Sequence, residues 1–224
     1  MANNQTPEEG NKIDQINEHL TGAGKTIAEN KNKFMVAVGI IVAAGLFVAS
    51  YFYFFHSPKV DKAFNAYGAV ELNATNDTVA AESYKKVADQ YSGTDAGKLA
   101  ALEAAEHYYE IGKYKEALTY LDKFSSSDDV LNANVTIMRG DCYVNLKQYD
   151  KAISEFEKAV KEADGNDQIA PRALMKLGVV YDEQKKYDKA LAAYEQIQTE
   201  YPAFTYNQLP IEAYVEREKA RLGK

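Results

Sequence analysis

The chain has 224 residues, 26 of them basic and 33 acidic, giving a formal net charge of −7 at pH 7. From residue 34 onward the balance is 22 basic to 28 acidic, which argues against nucleic acid as the main partner, since phosphate binding needs a basic stripe. Cys142 is the sole cysteine, and His19, His56 and His107 are scattered, so the chain offers neither an internal disulfide nor a metal-ligand spacing.

Residues 1–33 form a polar tail. Ile13, Ile16 and Leu20 are spaced for one or two amphipathic turns, and the expectation for the rest is disorder. Residues 34–55 then read FMVAVGIIVAAGLFVASYFYFF without a single charge. At about 1.5 Å per residue, a helix of that length crosses the roughly 30 Å hydrocarbon core of a bilayer. The aromatic run at 51–55 suits the membrane–water interface. The reading is an uncleaved signal anchor. A cleaved signal peptide is the competitor, against which stand the long polar lead, the length of the apolar run and the missing small-x-small site. Lys25, Lys31 and Lys33 precede the span and Lys59 and Lys62 follow it, a bias that puts the tail in the cytoplasm and the large domain outside. Gly39/Ala43 and Gly45/Ala49 have small-xxx-small spacing, for which the ordinary use of Gly and Ala in such helices is the plainer account.

Beyond the span the apolar pattern is helical throughout, with no sustained strand alternation. The expected helices are 59–73, 78–91, 95–111, 114–124, 130–146, 149–163, 168–184, 187–201 and 208–222. A loop is expected at LNATNDT, residues 72–78. It holds the glycosylation-type triplets Asn73-Ala-Thr75 and Asn76-Asp-Thr78, and Asp77-Thr78-Val79 makes Thr78 a candidate O-glycosylation site. A third triplet begins at Asn134.

Three segments in this region repeat: GKYKEALTYLDKF from 112, KQYDKAISEFEKA from 147 and KKYDKALAAYEQI from 185. Tyr114, Tyr149 and Tyr187 align, as do Ala117, Ala152 and Ala190, then Leu121, Phe156 and Tyr194. Upstream, Tyr108, Tyr143 and Tyr181 align, preceded by Ala105, Gly140 and Gly178. Small residues opposite large ones at a fixed period are what closely crossing helix pairs require. In these residues the chain resembles the tetratricopeptide (TPR) family, whose unit of about 34 residues is a helix–turn–helix. A worn copy around Phe64, Tyr67, Gly68, Ala80, Tyr84 and Val87 precedes the three. The repeats are expected near 61–94, 98–131, 133–166 and 171–204, an array over 59–206, with residues 207–224 as a capping helix. The fold class is therefore all-α, a TPR solenoid behind a single transmembrane helix.

The resemblance implies a concave groove lined by the first helix of each unit. Carried over residue by residue, it falls on Leu99, Leu102, Glu106, Tyr109 and Glu110, then Asn134, Ile137, Asp141, Val144 and Asn145, then Arg172, Met175, Val179, Asp182 and Glu183. This surface suits an apolar segment with some positive charge; the plain alternative is that its aliphatic residues pack on neighbours and its acids are solvated. The Lys and Asn of chaperone-tail clamps are absent, since Leu102 and Glu106 hold the comparable positions. Ile211, Tyr214, Val215 and Leu222 give the last helix one apolar face, expected to cap the final repeat.

No glycine-rich phosphate loop, HExxH, GxSxG or Cys/His pair occurs, so the expectation is no enzyme, no cofactor and no small-molecule substrate. An N-terminal anchor followed by a small TPR array is similar to the YfgM-like family. That resemblance implies a non-catalytic adaptor in the bacterial inner membrane, with its array in the periplasm, binding translocon subunits, chaperones or exported clients. A cytosol-facing receptor and a structural subunit of an envelope complex remain as alternatives.

Overall fold

The computed structural model describes residues 30–224, so the tail with Ile13, Ile16 and Leu20 lies outside the described residues apart from its last four positions. The chain divides at Pro58 into an N-terminal unit and a compact unit from Lys59 to Lys224.

In the first unit, helix α1 spans Lys31–Tyr51 and is followed by one π-helical turn, Phe52–His56. The wide turn precedes Pro58, which has no N–H to give and whose ring would crowd the carbonyl of Phe54 in a regular helix. Here the Ser57 N–H reaches back five residues to Phe52 O. Every residue from 30 to 59 is exposed, the large apolar ones among them. The helix is long and apolar enough to cross a membrane.

The compact unit holds α2 (Ser57–Asn73, which starts at the boundary), α3 (Asp77–Gln90), α4 (Asp95–Glu110), α5 (Tyr114–Leu121), α6 (Asp129–Asn145), α7 (Tyr149–Glu162), α8 (Ala170–Glu183), α9 (Tyr187–Glu200) and α10 (Ile211–Arg221). Helices α3, α4 and α6 open on side-chain caps. Asn76, Thr94 and Asp128 accept from the backbone N–H of Val79, Gly97 and Leu131. The first helices α4, α6 and α8 end in matching tight turns. The N–H groups of Lys113, Gln148 and Lys186 return to the carbonyls of Tyr108, Tyr143 and Tyr181. Each turn needs one left-handed residue, supplied by Gly112 at φ 76°, Lys147 at φ 58° and Lys185 at φ 60°.

Successive helices pack antiparallel into pairs whose closeness follows from the aligned small residues. A Cβ added at Gly140 would collide with the Phe156 ring, and one at Gly178 with the Tyr194 ring. In the preceding pair the same positions hold Ala105 and Leu121, both fully buried: where the partner loses its ring, a methyl group is admitted. Gly68 and Tyr84 keep the spacing in the worn copy, but a Cβ at Gly68 would meet nothing. There Tyr67 covers Tyr84 instead, at 5.3 Å between ring centres, and its hydroxyl donates to Glu103 on α4. The interior forms two apolar clusters, one from α3 to α6 and rich in alanine, the other from α6 to α10.

Three details differ from the sequence-based expectation, while the third triplet lies in a helix as the expected span 130–146 implies. The loop expected at 72–78 shrinks to 74–76, because Asn76 caps α3; Thr78 therefore sits exposed in the first turn of a helix. The triplet at Asn134 lies in α6, with Thr136 buried and donating to Glu162. Helix α5 stops at Leu121 rather than 124, since Phe124 turns inward and its N–H bonds Leu121 O. The last helix starts at Ile211 rather than 208, behind a two-stranded hairpin. Thr205–Tyr206 (β1) pairs there with Leu209–Pro210 (β2) around left-handed Asn207 and Gln208.

Candidate functional site

The face lined by α4, α6 and α8 carries a groove of about 570 Å³, within the size range of binding clefts. Of the sequence-expected residues, it gathers Leu102, Glu106 and Tyr109 from α4, Asn134, Ile137 and Asp141 from α6, and Arg172 from α8. Leu131, Val135, Met138 and Lys176 complete the wall and were not expected. Leu99 lies outside this groove, in an adjoining recess of about 410 Å³ that shares Leu131 with it. Glu110, Asn145, Val179 and Glu183 are exposed beyond the walls, while Val144 is half-buried against the apolar interior.

Two expected groove residues are core. Met175 is 0% exposed within the apolar interior, and Ile137, at 3%, lies where the groove floor joins that interior. The expectation that the groove acids are free is corrected for two of them. Asp141 is half-buried and accepts from Lys176 Nζ at 2.8 Å. Burial pushes its carboxyl up, and Lys176 and Arg172 pull it down. Asp182 accepts from Arg217 at 3.0 Å and also from Arg221, both on α10. These arginines further hold Glu218, a fully buried carboxylate. The last helix thus packs on α9, with Tyr214 against Tyr194 at 5.5 Å, and occupies the end of the concave face with its charges.

Glu106 is different. It is exposed toward the groove, and the charged groups acting on it are Glu103, Glu110 and His107. Burial against the groove wall and the two neighbouring carboxylates push its carboxyl up, with His107 opposing. Arg172 donates to Asn134 at 2.8 Å, and Asn145 donates to the Tyr109 hydroxyl at 3.4 Å, so side chains bridge the first helices at both edges. The signal that sequence reading missed is an offset of 35 residues linking Asp141 to Lys176 and Asp182 to Arg217.

The sole cysteine lies on α6, one of the three helices that line this face. Cys142 beneath it is fully buried, which drives its thiol pKa up to about 12 and leaves it neutral and unreactive. Among the described residues no cluster of His, Cys, Asp or Glu is arranged for a metal ion.

Comparison with known proteins agrees with this geometry. Residues 102–168 and 137–203 match a tetratricopeptide repeat family model, and residues 28–129 match a tetratricopeptide repeat-like domain. The compact unit is a tetratricopeptide-type solenoid. Two crystal structures of MamA resemble the chain. One has a TM-score of 0.57 at 21% identity, covering 75% of this chain and 84% of that one; the other has 0.53 at 24%, covering 66% and 79%. At such identities the likeness concerns the fold. No curated protein matches the chain by sequence.

Proposed function

We propose that this protein is a membrane-anchored, non-catalytic scaffold that binds polypeptide segments in its tetratricopeptide groove. In this reading residues 34–55 span the bacterial inner membrane, with the tail cytoplasmic and the array at the periplasmic face. The scaffold assists Sec-dependent export there and hands clients to chaperones. The observation that carries the scaffold reading is the groove itself: an apolar floor of Leu102, Tyr109 and Leu131 beside an acid, Glu106, that has no ion-pair partner among the described residues, while Lys176 is paired with Asp141 and Arg172 is bonded to Asn134. Support for the anchor comes from the exposed apolar helix, whose burial in lipid removes its surface from water. The repeat-like match runs over residues 28–129 and takes in this helix together with the first repeats.

The test is protease accessibility of a C-terminal tag in intact spheroplasts. Digestion from outside supports the periplasmic scaffold. Protection until lysis overturns that placement and favours a cytosol-facing receptor, for which the acidic groove suits basic targeting segments.

A further inference from the structure

The concave face treats its acids unequally. Asp141 on α6 is neutralised by Lys176, 35 residues further along and on the next first helix. Asp182 on α8 is neutralised by Arg217, again 35 residues further along, on α10. The same step taken from Glu106 on α4 lands on Asp141, a second acid. In the repeat alignment Glu106 corresponds to Asp141 and Lys176 to Met138, so the position that neutralises Asp141 holds a methionine on the wall beside Glu106. Glu106 stands among Glu103 and Glu110, whose charges together with burial push its carboxyl up.

The apolar surface beside Glu106 is also open. Leu102 and Leu131 line the 570 Å³ groove, and Leu131 continues it into the 410 Å³ recess at Leu99. From Leu99 to Tyr109 the wall of α4 is about 15 Å long, room for about three helical turns or about five extended residues. Toward the C-terminus the face is closed to a cationic partner, because α10 has already spent its arginines on Asp182.

We infer that the α4–α6 groove holds a polypeptide segment whose Lys or Arg pairs with Glu106, as Lys176 pairs with Asp141 and Arg217 with Asp182, while an apolar side chain of that segment lies on Leu102 and Leu131. This rests on the scaffold reading above and names the chemistry of its partner. Along the α4 wall an anionic occupant would meet Glu103, Glu106 and Glu110, whereas Arg172 stands across the groove on α8, bonded to Asn134.

The experiment uses the full chain in phosphatidylcholine nanodiscs and two labelled peptides of Leu and Ala. One carries a central Arg, the other citrulline, which keeps the shape and drops the charge. A photo-crosslinking residue is placed at Leu102 or at Val179. Crosslinking of the Arg peptide is expected at Leu102 and not at Val179, with the citrulline peptide binding about tenfold more weakly. Glu106→Gln is expected to cost the Arg peptide about the same tenfold and to make the two peptides equal, with an unchanged melt because no ion pair is lost. Equal binding of both peptides to the unaltered protein, with crosslinking still at Leu102, overturns the Glu106 assignment and leaves the scaffold reading standing. Absence of crosslinking at both positions overturns the two together. Crosslinked dimers at Leu102 without peptide identify a second copy of the chain as the occupant and overturn the proposal.

Discussion

At the residue scale, the repeat lets one unit predict the behaviour of another. Gly112 holds a left-handed turn position that Lys147 and Lys185 fill with side chains. A non-glycine residue there costs about 1 kcal/mol, so Lys147→Gly and Lys185→Gly are each expected to stabilise by about that amount in denaturant melts. The crossing glycines run the other way. Gly178→Ala drives a methyl group into the buried Tyr194 ring and is expected to cost about 1–3 kcal/mol, with Ala152→Leu in the neighbouring pair costing the same. Among the described residues the buried Tyr194 hydroxyl has no hydrogen bond of good geometry, Arg217 being the nearest cation to act on it, and its counterpart is Phe156; Tyr194→Phe should leave the melt unchanged or raise it. Asp89 gives a pH signature. Burial opposes its charge, but hydrogen bonds from Lys123, Lys85 and Tyr120 prevail and hold its carboxyl at about 2. Because the folded value lies below the unfolded one of about 4, its stabilisation is full above pH 4 and is lost as pH falls through 2. A carboxyl-carbon NMR titration with a midpoint near 4 would remove this staple between α3 and α5.

At the element scale, the array is stabilised mainly by neighbour upon neighbour, so damage should stay local. Helix α10 buries Ile211, Tyr214 and Val215 on α9 and neutralises Asp182 on α8. Ending the chain at Pro210 uncovers that surface. Hydrogen exchange should then quicken in α8 and α9 while α3 to α5 keep their protection; uniform loss of protection would mean the unit melts as one block. The first helix pair is looser for a visible reason. Its glycine at 68 retains the crossing position, but the close approach seen at Gly140 and Gly178 is missing there, and Tyr67 reaches across to Tyr84 and Glu103 instead. Helical boundaries were legible wherever a cap or a left-handed turn stood in the sequence. They were missed at Phe124, where an inward aromatic ends α5, and at residues 205–210, where a two-residue hairpin carries too short a pattern to show a period of two.

For the whole molecule, the division into an exposed apolar helix and a packed solenoid predicts two separable behaviours. Deleting residues 34–55 is expected to move the protein from the membrane pellet to the soluble fraction without changing the melt of the array, whose apolar clusters lie beyond Lys59. A full-length protein that stays soluble without detergent would sink the anchor. The concave face was legible as a face: the repeat register placed Leu102, Glu106, Tyr109 and Asp141 together in one groove. Its availability was not. Ile137 and Met175 belong to the core, and Asp141 and Asp182 are neutralised from the next helix along.

By itself the sequence determined the helical class, the repeat period, the partnership of small with large residues at each crossing and the one segment fit to span a bilayer, because each is written in local spacing. Which groove acids are spent and which is free was decided only by the tertiary structure. Those ion pairs join side chains on helices that become neighbours when the units stack, and stacking sets distances that no local period encodes.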